Sequence, residues 1–534
     1  ARRRRLSANA HDYDDDDTDD TNITGRWDEP AYRKVRLLIT GASGFVGQHL
    51  CTALHMTHDQ RLEIHAAYGA LDTFEADMDD KFVSCTAVDL ADSSQVQALV
   101  QKVSPDVVVH LAAVSSPVAC EKSPERSDAI NQPLALLEAL PKSTVFVFLS
   151  TDQVYDGDKG HYENAAAARP LNRYGAAKLA FENALHASLP ASMSLRSSLI
   201  LGPRTPGRCR KQSFIQFCEE RLEGAQGEPT SFISDEYRSV VWVGDVVQLI
   251  FWAISGGATT YPGVYNMGGP ERLTRVDVAN KVAAVCHLTN AQASRLIVPT
   301  PKASFPTAVA SPADISMDSS MLAQLSGIDP TPLHSMVALS RPEARPLIVQ
   351  LGSTNDEAGV VDGDVRARSM RTKELLESMP HAYVLTSGGC SPSFKFNPTN
   401  TPHWQLVEVA LVAMGVPEST LLRPGIPALH TVHEVLMVRE RLQQWAVARE
   451  PAAIFTELVV VTSDYHLDRT RHLFSVAFGP HAGLDLPVHF ESVPAAMANV
   501  DLEACQKLPP STLTLTCHPH LHARPRPRPR PRPR

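Results

Sequence analysis

Tyr174 and Lys178 are four residues apart in the segment PLNRYGAAKLAFE (170–182), and such a pair could transfer a proton. The segment has the pattern of a helix start, and four residues make about one helical turn, so both side chains would lie on one face. A tyrosine with a pKa near 10 is a poor acid at neutral pH unless a positive charge lowers its pKa. The same spacing occurs in ordinary amphipathic helices, so the interpretation depends on the elements around the pair.

A glycine-rich turn precedes this pair in the chain, at the junction of a strand and a helix. Gly41, Gly44 and Gly47 follow the apolar segment VRLLIT (35–40) with the spacing G-x-x-G-x-x-G. Glycines at such a junction permit a tight turn and let a pyrophosphate approach the N-terminus of the helix. The pattern therefore predicts a dinucleotide site.

Strand and helix patterns alternate through the rest of the first half. Strands are predicted at 62–68, 106–114, 144–150 and 192–200, and a helix is predicted at 93–103. This alternation predicts an α/β fold with a doubly wound, parallel, Rossmann-type sheet. Ligands bind at the carboxyl ends of the strands in such sheets, where the glycine turn, residues 110–113 and residues 150–152 would converge.

The first half also contains a series of motifs in a characteristic order. They are TGASGFVG (40–47), HLAA (110–113), STDQVYDG (150–157), YGAAK (174–178), VGDV (243–246) and YNMGG (265–269). On these motifs, residues 34–335 resemble an extended short-chain dehydrogenase/reductase with a small substrate domain. The resemblance is to the RmlD (dTDP-4-dehydrorhamnose reductase) group, which includes the β regulatory subunit of methionine adenosyltransferase.

The resemblance implies roles for individual residues. Tyr174 would give its proton to a substrate carbonyl oxygen, Lys178 would lower the pKa of that tyrosine and hold the nicotinamide ribose, and Thr151 would hydrogen-bond the same oxygen. The implied cofactor-binding residues are Gly41, Gly44, Gly47, Asp89, Ala112 and Lys178. Asp89 would contact adenine, or would only cap a strand end. Arg238 would bind a substrate diphosphate, or would only form a surface salt bridge.

The nucleotide preference depends on the end of the second strand. NAD-preferring relatives usually have an acidic residue about 20 residues after the glycine turn. Ala66, Ala67, Tyr68 and Gly69 occupy that region here. The sequence therefore favours NADP as the cofactor, with NAD as the alternative, although no arginine in this stretch could bind a 2′-phosphate.

The second half predicts another doubly wound α/β domain. RPLIVQLGS (345–353), AYVLTSGG (382–389) and VTSDYHLDRTR (461–471) combine strands with polar or glycine-rich ends. These segments resemble the YdcF/SanA-like domain of unknown function. The resemblance implies a small-ligand site of backbone amides and cationic side chains for an anionic ligand, formed by Ser387, Gly388, Gly389, Thr462, Ser463, His466 and Arg469. We expect no metal site there, because the histidines lack a matching carboxylate.

The predicted domain order follows from shifts in composition. An acidic, disordered tail is expected at 1–33, the reductase-like domain at 34–335, a linker at 336–345, the YdcF-like domain at 346–500 and a disordered Arg-Pro tail at 501–534. Each domain would have its own strands and helices.

Composition and charge limit the classes of partner. The hydrophobic content of 43% is ordinary for a globular protein, and no apolar run is long enough to cross a bilayer. Nine cysteines without a Cys-x-x-Cys pair favour a reducing compartment, so we expect a cytoplasmic protein. The net charge of −9 makes nucleic acid a poor partner for the folded part of the chain.

Two functions from different classes remain at this point, beside a third possibility that the YdcF-like part carries the main activity and the reductase part is accessory. The first is an NADP-dependent reductase of a keto-sugar nucleotide, fused to a small-ligand domain. The alternative is a non-catalytic, NADP-binding regulatory subunit with a methionine adenosyltransferase-like partner. The Thr151, Tyr174 and Lys178 set favours the enzyme only mildly, because a regulator of this type can retain it.

Overall fold

A computed structural model describes most of the chain between residues 33 and 494. The described residues are 33–57, 59, 61–69, 82–205, 207, 209, 212–222, 228–286, 288–305, 309–341, 343–389, 401–445, 454–478 and 486–494. The predicted tails, apart from Arg33, lie outside these ranges, as do residues 495–500 of the second predicted domain.

The described part contains fifteen strands and seventeen α-helices. The strands are β1 (Val35–Thr40), β2 (Leu62–Tyr68), β3 (Ser84–Ala87), β4 (Val107–His110), β5 (Val145–Thr151), β6 (Ser192–Ser197), β7 (Ile200–Leu201), β8 (Thr230–Ile233), β9 (Val241–Trp242), β10 (Gly263–Met267), β11 (Ile297–Thr300), β12 (Arg345–Gln350), β13 (Tyr383–Thr386), β14 (Phe455–Ser463) and β15 (Val488–Val493). The helices of the first half are α1 (Phe45–Met56), α2 (Ser93–Val103), α3 (Pro117–Lys122), α4 (Pro124–Asn131), α5 (Leu134–Ala139), α6 (Arg173–Ser188), α7 (Phe214–Leu222), α8 (Val243–Trp252), α9 (Ala258–Thr260), α10 (Arg275–Val285), α11 (Asn290–Leu296), α12 (Ser320–Ser326) and α13 (Leu333–Ser340). The helices of the second half are α14 (Gly363–Ser378), α15 (His403–Ala413), α16 (Thr431–Trp445) and α17 (Leu467–Phe478).

Seven strands of the first half form one parallel sheet in the order β10-β6-β5-β4-β1-β2-β3. The strands at its centre are continuous apolar runs, as expected for a sheet covered by helices on both faces. Strand order reverses between β1 and β4, so a crevice opens at the carboxyl ends of these two strands. The doubly wound α/β prediction is confirmed, and the predicted helix at 93–103 coincides with α2.

Two short strand pairs lie beside the main sheet. The strand β7 pairs with β9, and β8 pairs with β11, both in parallel. Together with α7 and α10 they form a smaller lobe, which corresponds to the small substrate domain implied by the resemblance.

The second half contains its own parallel sheet, in the order β13-β12-β14-β15. The helices α14 to α17 connect and cover its strands. The prediction of a second Rossmann-like α/β unit is therefore confirmed at the level of the fold.

The two halves share one cluster of buried apolar side chains. Trp242 and Met336 from the first part of the chain belong to the same cluster as Leu347, Trp445 and Phe455 from the second part. Apolar surface on the small lobe and on the second sheet is thus removed from water by mutual contact. The core therefore continues across the position at which the sequence places a domain boundary.

The segment around that boundary is helical and buried. The linker predicted at 336–345 begins inside α13, and Met336 to Leu339 are buried. A buried carboxylate adds a polar contact between the halves, because Asp245 accepts hydrogen bonds at 2.8 Å from both the Thr331 hydroxyl and the Gln444 side-chain amide.

The described helices give no candidate for a membrane span. None of them combines the required length with a sufficiently apolar composition.

Candidate functional site

A cavity of about 1100 Å³ lies at the carboxyl ends of the central strands of the first sheet. Its wall includes every residue that the sequence assigned to the first site: Gly41, Gly44, Gly47, Asp89, Ala112, Thr151, Tyr174, Lys178 and Arg238. Residues separated by up to about 200 positions in the chain thus line one space, as the topology of a doubly wound sheet requires.

The glycine turn occupies the β1 end of the cavity, and its geometry explains the glycine spacing. Gly41 has a φ of +75°, and a Cβ atom there would lie 2.6 Å from the Ala112 nitrogen. A Cβ atom on Gly47 would lie 2.2 Å from the Gly41 oxygen. Gly44 is different, because a Cβ atom would meet only the Gly41 oxygen, at 3.2 Å. The first and third glycines therefore close the turn, while the second faces the cavity.

The helix α1 begins at this turn, and its N-terminus lines the cavity. No side chain caps it, and its first turn contains no acidic residue. The positive end of the helix dipole is thus directed at the cavity, and no acidic side chain in the first turn of α1 balances it. These features fit the pyrophosphate of a dinucleotide, which is the group that the spacing predicted.

The predicted catalytic residues meet at the ends of β5 and α6. Asn172 caps α6 by accepting a hydrogen bond from the Gly175 amide, which fixes the first turn that contains Tyr174. The Tyr174 side chain is hydrogen-bonded with Thr151. The Lys178 ammonium donates to the Leu149 carbonyl at 2.9 Å.

The electrostatics of the pair differ from the sequence-based expectation. Burial raises the pKa of Tyr174, whereas the sequence predicted that Lys178 would lower it. Burial also lowers the pKa of Lys178 to about 7. The physical reason is the same for both groups, since transfer out of water disfavours the charged form of each.

Asp89 lies at the far end of the cavity, after β3. Its carboxylate accepts the Ala91 amide at 3.0 Å and pairs with the Arg126 guanidinium at 3.0 Å. It therefore caps the turn after the strand, which was one of the two interpretations left open. Tyr68, Gly69 and Arg126 line the same cavity, so an arginine from α4 lies in the region where the sequence showed none.

Arg238 lies at the opposite end, in a cluster of cationic side chains around one buried carboxylate. Glu236 is 3% exposed and faces Arg275 at 2.8 Å, Lys302 at 3.5 Å and Arg238 at 3.7 Å. The Arg238 guanidinium is itself buried and donates to the carbonyls of Tyr237 and Pro312. Arg275 and Lys302 are about one-third exposed, so they are the more accessible cations of the cluster.

Besides Arg126, three functional candidates were missed by reasoning from the sequence. Arg275 and Lys302 have no motif, and only the folded lobe brings them to Arg238. Asp152 is buried in the cavity wall and accepts the Ser198 hydroxyl at 2.9 Å, and burial raises its pKa to about 6. Asp152 directly follows Thr151 in the motif STDQVYDG, and this position could have identified it as a candidate from the sequence.

The predicted residues of the second half lie after β13 and β14. Ser387, Thr462 and Ser463 are buried, and His466 and Arg469 are half-buried. The amides of Gly388 and Gly389 donate to the carbonyls of Ile426 and Ala428, at 2.8 and 2.6 Å.

These contacts change the expected chemistry of the second site. The two glycine amides are already paired with main-chain carbonyls, so they do not form the anion crevice that the sequence predicted. Ser387 instead donates to the buried Glu434 carboxylate at 2.7 Å, and Ser463 accepts from Arg368 at 3.0 Å. Within the described ranges, no group of three or more His, Cys, Asp or Glu side chains is placed to hold a metal ion.

Comparison with known proteins defines the class of the first half. Residues 35–341 match the family model described as the RmlD substrate binding domain, which is more than half of the chain, and the chain belongs to that family. The RmlD-like extended short-chain dehydrogenase/reductase assignment is thereby confirmed, and with it the class of NAD(P)-dependent oxidoreductases.

The relatives include reductases and a regulatory subunit. The chain is 26% identical over 251 residues to the probable low-salt glycan biosynthesis reductase Agl14 of Haloferax volcanii. This alignment covers 46% of the present chain and 79% of the Haloferax protein. The chain is 25% identical over 310 residues to a dTDP-4-dehydrorhamnose reductase of Burkholderia thailandensis, covering 55% and 94%. It is 28% identical over 182 residues to methionine adenosyltransferase 2 subunit beta of Danio rerio, covering 34% and 53%.

A solved structure aligns with more than half of the chain. It is a dTDP-4-dehydrorhamnose reductase from Bacillus anthracis in complex with NADP, with 21% identity and a TM-score of 0.46, covering 57% of this chain and 97% of that chain.

Proposed function

We propose that the protein is an NADP-dependent reductase of a 4-keto sugar carried on a nucleotide. The observation that carries this proposal is the shared cavity, in which Tyr174, Lys178 and Thr151 lie beside the uncapped N-terminus of α1. Two of the relatives are named as reductases, one of them for dTDP-4-dehydrorhamnose.

The cofactor would be held at two ends of the cavity. The N-terminus of α1 and the turn at Gly44 would bind the pyrophosphate, and Ala112 would lie beside it. The absence of an acid at Tyr68 and Gly69, together with the cationic Arg126, supports NADP over NAD, since a 2′-phosphate needs a positive partner. When bound, the nicotinamide supplies hydride to the substrate.

The proton step would be performed by Tyr174. The phenol is protonated at neutral pH, so the hydroxyl can donate a proton to the carbonyl oxygen that becomes the product hydroxyl. Burial raises the pKa of Tyr174 and so makes it a weaker acid, and the positive charge of Lys178 would offset this effect. The Thr151 hydroxyl would orient the same oxygen. The charged form of Lys178 would stabilise the negative charge left on the phenolate and would hold the ribose.

The substrate diphosphate would bind at the cationic cluster around Glu236. Arg275 and Lys302 are accessible from the cavity, whereas the guanidinium of Arg238 is buried and bonded to carbonyls. We therefore assign the direct contacts with the diphosphate to Arg275 and Lys302, and a supporting contact to Arg238. An arginine can form two parallel hydrogen bonds with phosphate oxygens, which suits this role.

For the second half we propose a YdcF/SanA-like domain that binds a small ligand. The four-stranded parallel sheet and the polar side chains at its carboxyl ends support this proposal. The site would be formed by Ser387, Thr462, Ser463, His466 and Arg469, with the buried Arg368 as an additional cation. The domain limits of 34–335 and 346–500 are part of the same proposal.

A second candidate function is a regulatory subunit for a methionine adenosyltransferase-like partner. The observation in its favour is the 28% identity to the β subunit, which is slightly higher than the identity to the reductases. That match spans only about half of the β subunit, so it carries less weight for a partner.

One experiment separates the two functions. Purified protein is incubated with NADPH and dTDP-4-dehydrorhamnose, and with a panel of other keto-sugar nucleotides, and loss of NADPH absorbance is followed. We expect turnover that Tyr174→Phe lowers by about 100- to 10,000-fold, while NADPH affinity stays within about twofold. The matched control is Tyr261→Phe, at a tyrosine that is 41% exposed.

The contrary result would be NADPH binding without turnover on any member of the panel. If the protein then also binds purified methionine adenosyltransferase, the regulatory function replaces the reductase function.

A further inference from the structure

A buried network of polar side chains lies directly behind the Tyr174 and Lys178 pair. Its centre is the ion pair between Glu182 on α6 and Arg196 on β6, at 2.7 Å, with side chains that are 2% and 9% exposed. Arg196 also donates to the Tyr155 hydroxyl at 3.0 Å, and that hydroxyl donates to Asn266 at 2.7 Å. The network therefore connects α6 with two strands of the main sheet.

Glu182 lies on the helix of Tyr174 and Lys178 and contacts the strand end beside Thr151. It lies four residues after Lys178 and eight after Tyr174, so the three side chains share one face of α6. Its carboxylate accepts a hydrogen bond from the Ser150 hydroxyl, and Ser150 is the neighbour of Thr151 in β5. The carboxylate thus lies against the strand end that positions Thr151 and against the helix that positions the lysine.

The other groups that face the Lys178 ammonium are neutral near pH 7. Burial lowers the pKa of His110 on β4 to about 3, and burial raises the pKa values of Tyr174 and of Cys120 on α3. The ring of Phe148 lies 4.4 Å from the ammonium and offers only its π face. Glu182 exerts the largest charge effect that favours the protonated lysine.

A nearly fully buried ion pair is weak evidence for stability, because removing both ions from water offsets most of their attraction. The position of this pair is better explained by a role in the site. Arg196 holds the carboxylate in place, since its guanidinium donates to both carboxylate oxygens, at 3.1 and 2.7 Å.

We propose that Glu182 is a positioning residue, which holds the Lys178 ammonium in its charged form and is itself fixed in place by Arg196. The proposal rests on the proposed function, since it assigns Lys178 to the binding of an NADP dinucleotide. Glu182 would contact neither the cofactor nor the substrate and would act on the site only through Lys178.

The proposal is tested by the pH dependence of NADPH affinity, measured by fluorescence titration of the full chain between pH 6 and about 9. For the wild type we expect affinity to fall as the pH rises through the Lys178 pKa of about 7, because the deprotonated amine no longer attracts the anionic cofactor. Lys178→Met should remove this dependence. Glu182→Gln should shift the midpoint down by about one pH unit, so affinity near neutral pH falls severalfold and recovers at the acidic end.

The Arg196→Gln variant separates this role from a structural one. Without the guanidinium, the Glu182 carboxylate loses the partner that holds it in place. Arg196→Gln should therefore lower the midpoint as Glu182→Gln does, and the double variant should lower it no further. A loss of packing would weaken binding in both variants at every pH and would move neither midpoint. Glu138→Gln, at an exposed carboxylate on α5, is the matched control.

Each outcome bears on a different part of the proposal. An unchanged midpoint in Glu182→Gln, with a wild-type dependence that Lys178→Met removes, would overturn the role of Glu182 and leave the reductase proposal in place. A lowered midpoint in Glu182→Gln together with an unchanged midpoint in Arg196→Gln would overturn the role of Arg196 in holding Glu182 in place. A wild-type protein that does not bind NADPH at any pH would overturn both proposals together.

Discussion

Trp445 offers a direct test of whether the two halves of the protein form one cooperative unit. It is the last residue of α16, is fully buried, and belongs to the apolar cluster that contains residues of both halves. Its ring lies 6.2 Å from that of Phe455, and its indole nitrogen has no hydrogen-bond partner among the described residues. Replacing it by alanine would therefore remove packing without breaking a hydrogen bond.

The magnitude follows from this burial. A fully buried tryptophan contributes about 3 to 5 kcal/mol of packing relative to alanine, because the cavity left behind closes only in part. With an unfolding entropy of about 2.1 cal/mol/K per residue, each kcal/mol lowers the Tm of one cooperative unit of roughly 400 residues by about 1 °C. Trp445→Ala should therefore lower Tm by roughly 3 to 6 °C. The control, Trp252→Ala, removes a half-buried tryptophan outside the shared cluster and should cost less.

Two signals would be followed during thermal unfolding. Far-UV circular dichroism reports on both sheets, and the fluorescence of bound NADPH reports on the first half alone. Because the core is shared, we expect both signals to shift together in Trp445→Ala. The reasoning would be refuted if circular dichroism showed two separate transitions and Trp445→Ala lowered the midpoint of only one of them, with the midpoint of the NADPH fluorescence change unaltered. That result would show that the second half unfolds on its own, despite the contacts of Gln444 with Asp245.

Three further predictions concern the cavity. Gly44→Asp should lower NADPH affinity by at least about 100-fold in calorimetric titration, because the added carboxylate faces the pyrophosphate. Tm should change little, since the new Cβ atom meets only the Gly41 oxygen, at 3.2 Å, and a small shift accommodates it. Unchanged NADPH affinity would contradict the assignment of the pyrophosphate site. Arg126→Ala should weaken NADPH binding by about tenfold and leave NAD binding almost unaltered, since only NADP carries a 2′-phosphate; an equal loss for both nucleotides would exclude this role. Arg275→Met and Lys302→Met should each raise the KM for the sugar nucleotide by about tenfold in steady-state kinetics, with NADPH affinity unchanged. An unaltered KM would show that the diphosphate does not bind at this cluster.

Much of the first half could be predicted from the sequence because the deciding information is local. The predicted strands at 35–40 and 62–68 and the predicted helix at 93–103 match the structure. Their apolar periodicity and their boundary signals are each contained in a few neighbouring residues, so the sequence is sufficient to locate them. The glycine turn was predicted for the same reason, because its spacing is fixed by contacts among neighbouring residues and with the next strand. The one-turn separation of Tyr174 and Lys178 also follows from helical geometry alone.

The tertiary structure decided the properties that depend on residues distant in the chain. Burial sets the pKa of Lys178 near 7, a value that no local pattern contains, because desolvation depends on all the elements packed around the ammonium. Arg126 and Lys302 line the cavity only because helices and strands from separate parts of the chain meet there. The continuity of the core across residues 336–345 has the same origin, since a composition shift marks a change in sequence but not which apolar surfaces bury one another.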